Sequence, residues 1–181
     1  MVRRMYHTQE RWDNRLKAPI ICVRNDAWLG DAYYYWLNED DAKNWGINSK
    51  RATGWYEVYQ SDINCENVLD TVFNEKHYNL WLKTIEKVAK IIAKATYNKP
   101  TLKELNDYLK ERGDWSEVDG IMFQDLPNKE YYTLIKPIIY KDKVTQVEKK
   151  VYFTYRKRIQ LAVFNEEVIL SFAHFLTEEC Y

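Results

Sequence analysis

Gly30-Asp31-Ala32-Tyr33-Tyr34-Tyr35-Trp36-Leu37-Asn38-Glu39-Asp40-Asp41-Ala42-Lys43-Asn44-Trp45 reads as a turn, an aromatic strand and a short helix in immediate succession. Four consecutive aromatic residues favour extended backbone. Asn38 then stands at a helix N-cap position, and Glu39, Asp40 and Asp41 fill the first turn, where the helix dipole favours anions. The pattern predicts a short helix over 39–45. Outward from this stretch the chain changes character. Met5-Tyr6-His7-Thr8 ends a predicted first strand, Pro19-Ile20-Ile21-Cys22-Val23 is a second apolar run, and Gly54-Trp55-Tyr56-Glu57-Val58-Tyr59 a third.

Residues 66–112 are helical in pattern. Tyr78, Trp81, Leu82, Ile85, Val88, Ala89 and Ile92 recur at three- and four-residue steps and form one apolar stripe. Thr101-Leu102-Lys103-Glu104 has the form of a capping box, Leu102, Leu105 and Leu109 are the inward side of a second helix, and Gly113 ends it. Strands return at Val118–Phe123, Thr133–Tyr140, Val147–Tyr155 and Arg158–Phe164, with a hairpin turn at Lys141-Asp142-Lys143. Asn165 is placed to cap a closing helix with Val168, Ile169, Phe172 and Leu176 inward. Strands, then helices, then strands predict one α+β domain over 1–181 with a helical insertion at about 64–113, not an alternating βαβ array.

The 181 residues carry 27 Lys+Arg against 27 Asp+Glu, so no net charge drives the molecule towards polyanions. Basic residues nevertheless cluster early (Arg3, Arg4, Arg11, Arg15) and late (Lys149, Lys150, Arg156, Lys157, Arg158). They would make one basic patch if the first strand and the Arg158 strand were neighbours. No apolar run reaches the length of a membrane span, and Met1-Val2-Arg3-Arg4 leads into no signal-peptide apolar region, which predicts a cytoplasmic protein without membrane association. Cys22, Cys65 and Cys180 are odd in number and far apart, as suits a reducing compartment.

Five glycines cannot supply a phosphate-cradling loop of the Walker or dinucleotide-binding kind. His-Glu-x-x-His, Gly-x-Ser-x-Gly and paired Cys-x-x-Cys are absent, and three histidines without nearby cysteines predict no bound metal. Four spaced elements remain: Tyr6-His7-Thr8, the Gly30–Trp45 stretch, Val118–Phe123, and Arg158-Ile159-Gln160-Leu161-Ala162-Val163-Phe164-Asn165-Glu166-Glu167-Val168-Ile169.

In that order they resemble the small prokaryotic and phage ADP-ribosyltransferase-like domains of the diphtheria-toxin and poly(ADP-ribose) polymerase type. Ala162-Val163-Phe164-Asn165 matches a phrase common in the late strand of phage-associated members. The resemblance covers roughly 1–60 and 117–170. It implies a split β-sheet with the helices inserted between its halves, NAD as substrate, and transfer of ADP-ribose to a protein or nucleic-acid acceptor. It also implies a toxin or phage-related effector, with a cognate antitoxin or inhibitor as a further partner.

By the same resemblance the catalytic residues would be Gln160, His7 and Tyr34, and NAD would be bound by His7, Thr8, Tyr34 and Trp45. His7 would hydrogen-bond a ribose hydroxyl. Tyr34 and Trp45 would sandwich the cationic nicotinamide ring, with stacking and cation–π attraction of about 0.5–2 kcal/mol each. The late-strand position where the family usually has Glu is Gln160 here, and Thr8 and Asp31 stand where relatives often have Gly. A neutral Gln160 orients a hydroxyl without a carboxylate's full charge. The departures keep two alternatives open: a catalytically weakened binding module of the same fold, and a nucleic-acid-binding protein that uses its basic ends and aromatic residues.

Overall fold

The computed structural model describes residues 1–50, 52–125, 135–152 and 155–180. The long strands β1 (Val2–Glu10) and β3 (Trp55–Asn64) pair antiparallel from Val2↔Asn64 to Glu10↔Tyr56. Their ladder, extended by β9 (Ala173–Glu179) on the far side of β3, makes one half of a sheet. The other half runs β4 (Val68–Asp70), β5 (Gly120–Asp125), β8 (Arg158–Val163), β2 (Tyr33–Trp36). The halves form one seven-stranded sheet of order β4-β5-β8-β2-β1-β3-β9, antiparallel throughout except for β4 and β5. Between β1 and β2 the register has a single residue pair, Tyr6↔Trp36. Beyond that pair the sheet is split.

The alternation of strand side chains sorts the core. Tyr34 and Trp36, two residues apart, share a face. Trp36 joins Ala42, Tyr56 and Val58 beneath α1 (Glu39–Ser49), over the β1/β3 half. Tyr34 joins Leu69, Ile121, Phe123 and Ala162 beneath α2 (Glu75–Thr96) and α3 (Leu102–Glu111), over the other half. On the opposite face Met5, Tyr35, Ile63, Leu161 and Val163 form a third cluster, closed by Val168 and Ile169. A separate exposed hairpin joins β6 (Ile138–Lys141) to β7 (Glu148–Val151).

The predicted helical insertion is present, preceded within its bounds by β4. Thr101 and Glu104 make both bonds of the capping box, and Gly113 has the left-handed φ of 79° expected where a helix stops. The strand expected at Val118–Phe123 is β5, and that at Arg158–Phe164 is β8. The first helix is longer than expected, and the Asn38 side chain makes no cap bond; it reaches Asp41 instead. The hairpin lies where expected, although residues 133–134 and 153–154 of its predicted strands lie outside the described residues.

Two expectations are corrected. Pro19–Val23 is not a strand: its one ladder contact is an isolated bridge, Cys22↔Ala32, because β2 already has β8 and β1 as neighbours. Residues 165–176 are not a helix. A single 3-10 turn, Glu166–Val168, is followed by β9, which fills the open edge of β3. That ladder pairs the edge of β3 that would otherwise be left open. Among the described residues no helix is long and apolar enough to cross a membrane.

Gly46 sits inside α1 where the helix meets β3. A methyl group there would run into the ring of the fully buried Tyr56. Helix propensity alone favours Ala over Gly by about 1 kcal/mol, but overpacking costs about 1–3 kcal/mol and outweighs it. Gly46→Ala is therefore expected to lower stability, read as an earlier urea midpoint with an unchanged slope.

Candidate functional site

The split in the sheet creates the site. Immediately after the last β1–β2 pair, His7 turns its ring into the gap and donates from Nδ1 to the backbone carbonyl of Tyr34, 3.0 Å away. A carbonyl can only accept, so Nδ1 carries the proton and Nε2 presents a lone pair. His7 is buried, and its Nε2 has no hydrogen-bond partner. Burial lowers its pKa to about 4 against the opposing pull of the Tyr34 bond, with the Lys50 charge adding to the decrease. The imidazole is neutral at pH 7 with an unused acceptor.

A cleft of about 490 Å³ opens over this point, and His7, Thr8, Tyr34, Trp45 and Gln160 all line it. The five residues come from β1, β2, α1 and β8. Strand alternation puts Thr8, Tyr34 and Gln160 on the helix-covered side. His7 lies on the Met5 and Tyr35 side of β1, its ring against Tyr35 and Phe172, and reaches the cleft at the gap. Gln160 pairs with Trp36, so both point to the helix-covered face, and Trp36 packs against Trp45 with ring centres 5.8 Å apart. Tyr34 lines the cleft with its hydroxyl already engaged, donating to the Gly30 carbonyl and accepting from the Leu29 amide. Burial raises its pKa further above the ordinary phenol value. Thr8 is similarly committed: its hydroxyl donates to the Ala42 carbonyl at 2.8 Å and anchors α1. Residues 20–23 and Trp28 form the outer wall.

Trp36, Lys50 and Asp125 are among the lining residues that the sequence did not single out. Trp36 was legible in principle, being two residues from Tyr34 on the same strand face. Lys50 lines the cleft at the end of α1, and its Nζ donates to Gln9 Oε1 at 2.9 Å; nothing in the local sequence marks it. Asp125, buried at the end of β5, pairs with Arg158 at 3.3 Å. Arg158 also faces Asp41 at 3.9 Å and lies 4.8 Å from the Trp36 ring centre. Asp41 is fully buried, and that burial raises its carboxyl pKa.

The two basic clusters are not on neighbouring strands, although Arg3 and Lys157 approach the same Phe73 ring. β2 lies between β1 and β8, and the arginines disperse onto separate acids: Arg3 on Asp70, Arg4 on Asp62, Arg156 on Asp40. Glu166 accepts from the Tyr33 hydroxyl at 2.8 Å, and Tyr33 packs with the cluster on the face opposite Gln160. Compared with protein-family models, curated proteins and solved structures, the chain matches none.

The depressed His7 pKa has a signed consequence. A neutral imidazole in the folded state and an ordinary one in the unfolded chain, near 6.5, make the unfolded state bind the extra proton. Stability from this residue is fully present above about pH 6.5, falls as the pH drops, and levels off below about pH 4. The loss between pH 7 and pH 5 should be about 2 kcal/mol. Urea unfolding at both pH values should show this difference in the wild type, with most of it removed in His7→Gln.

Proposed function

We propose that the chain is an NAD-dependent ADP-ribosyltransferase acting on a macromolecular acceptor, built on an ADP-ribosyltransferase-like split sheet. The observation that carries the reading is the meeting of His7, Tyr34, Trp45 and Gln160 in one cleft at the parting of β1 and β2. The four residues come from three separate stretches of the chain, around positions 7, 34–45 and 160. The order of elements and the division of the sheet into two halves also support the fold assignment.

In this reading His7 Nε2 accepts a hydrogen bond from a ribose hydroxyl, a role suited to a neutral, buried imidazole. Tyr34 and Trp45 hold the nicotinamide ring by their faces, with Trp36 backing Trp45. The Lys50 ammonium offers a cation for the diphosphate. The bond between nicotinamide nitrogen and ribose C1′ breaks, and nicotinamide leaves with the bonding pair as a neutral base. Positive charge develops on the ribose ring, as in glycoside hydrolysis. The Gln160 carbonyl oxygen, accepting from the 2′-hydroxyl, opposes that charge with a dipole. A nucleophilic atom of the acceptor then bonds to C1′ and releases its proton to solvent. A toxin or phage-related effector with a cognate antitoxin is the setting that the sequence resemblance suggests.

The neutral Gln160 specifically favours a second reading, a binding module of the same fold that holds NAD without turning it over. One set of measurements separates the two. With NAD, the wild type should release nicotinamide, and His7→Ala, Tyr34→Ala or Trp45→Ala should lower the rate at least about tenfold, the equivalent of about 1.4 kcal/mol of lost transition-state stabilisation. Gln160→Glu should raise it. Calorimetric NAD binding without nicotinamide release, even in Gln160→Glu, would favour the module; no binding and no release would remove both readings.

A further inference from the structure

One face of α2 packs onto the sheet and α3, through Trp81, Ile85, Val88, Ala89 and Ile92. The opposite face carries Lys76, Lys83, Lys87, Lys90 and Lys94, all exposed. With about 100° between successive residues, the five lysines fall within about 60° of arc, and a rise of about 1.5 Å per residue makes their line about 27 Å long. Glu75 and Glu86, the acidic residues of the helix, stand about a quarter-turn to one side. In α1 and α3 lysines are paired across one turn, Lys43 with Glu39 at 2.6 Å and Lys103 with Asp107 at 2.8 Å. Among the described residues none of the five lysines of α2 has an ion-pair partner, although Glu86 stands one turn before Lys90. A chain with no net charge therefore concentrates cations along one line. Lys83 and Lys87, Lys87 and Lys90, and Lys90 and Lys94 are helix neighbours of like charge and repel each other. A bound polyanion would relieve that repulsion.

A regular row of cations suits a ligand with a regular row of anions. Duplex DNA offers one phosphate per about 3.4 Å of axis on each strand, so the lysine line runs beside about eight of them. Lysine meets phosphate as a hydrated point charge. A protein partner would need a desolvated core, from which lysine is depleted. Beside the line only Leu80 and Ile91 offer apolar surface, at 53% and 46% exposed. A membrane surface would take up the apolar face of such a helix, and here that face is packed on the core. The same two aliphatic side chains favour DNA over RNA, because they present nothing to the 2′-hydroxyls by which an RNA duplex is recognised. Asn79 is the one amide on α2, and the helix has no arginine, so base edges would go largely unread.

We propose that the lysine line of α2 is a docking surface for the phosphate backbone of double-stranded DNA, bound without regard to sequence. None of the five lysines lines the cleft, and the proposal stands apart from the transferase reading.

The test is fluorescence polarisation of a labelled DNA duplex of about sixteen base pairs, without NAD. The wild type should bind at low salt, and its affinity should fall with salt at a log–log slope of about −4. Lys83→Gln, Lys87→Gln and Lys90→Gln, at exposed positions and checked for a urea midpoint no lower than that of the wild type, should each reduce the slope by about one. The triple variant should bind at least about tenfold more weakly. Lys141→Gln combined with Lys150→Gln, in the exposed hairpin, should leave the slope unchanged. Absence of wild-type binding, an unchanged slope in the α2 variants, or an equal loss in the hairpin variant would overturn the proposal. So would wild-type binding as tight as to DNA by polyglutamate, by an RNA duplex of the same sequence, or by phosphatidylserine vesicles. Because NAD is absent, these outcomes are independent of nicotinamide release.

Discussion

Where the backbones of β1 and β2 part after Tyr6↔Trp36, the carbonyl of Tyr34 loses the partner a continuous ladder would have given it, and the His7 imidazole supplies the missing donor. A buried carbonyl left bare would cost about 1–3 kcal/mol, so the ring is held in place by a debt of the backbone. From that one bond follow the tautomer and the unpartnered lone pair on Nε2, while burial, acting against the bond, sets the preference for the neutral form. The opening itself also follows, because a side chain now spans the gap that main-chain pairing would have closed. The segment around Cys22 and Trp28 roofs the opening, tied by the Cys22–Ala32 bridge and by the Tyr34 hydroxyl at Leu29 and Gly30.

Beneath the cleft, Arg158 is buried between Asp41 and Asp125 and against Trp36. Such a group contributes little net stability compared with an apolar replacement, but breaking one member leaves another charge stranded at a cost of about 3–5 kcal/mol. It joins α1, β5 and β8 on the face that presents Gln160. The arrangement fixes the floor of the cleft. Lys50, on the wall, has a neutral amide as its hydrogen-bond partner.

Much of the architecture was legible because local signals agreed with tertiary demands. The aromatic run at 33–36, the capping box at Thr101 and the strand at Arg158–Val163 each needed only neighbours in sequence. The C-terminal segment misled for a definable reason. Val168, Phe172 and Leu176 are four apart, and a four-residue step keeps side chains on one side of a helix and also of a strand. The open edge of β3, a fact about residues more than a hundred positions away, decided between them. Pro19–Val23 failed similarly, since apolar content does not say whether a neighbouring edge is vacant. His7, Tyr34, Trp45 and Gln160 were reached through a resemblance of ordered motifs. Lys50 and Asp125 enter the cleft only through the end of α1 and the end of β5, positions with no marker in sequence.

The parallel pairing of β4 with β5 gives the helices a topological duty. A chain leaving β4 cannot reach the start of a parallel neighbour by a tight turn; it must travel back the full length of the strand before entering again. α2 and α3 are that return path. They are the crossover connection without which β5 would have to reverse direction, and reversal would carry Asp125 from one end of the sheet to the other. The segment that looks most like an appendage in the sequence therefore sets the polarity of the strand that delivers an acid to the cleft.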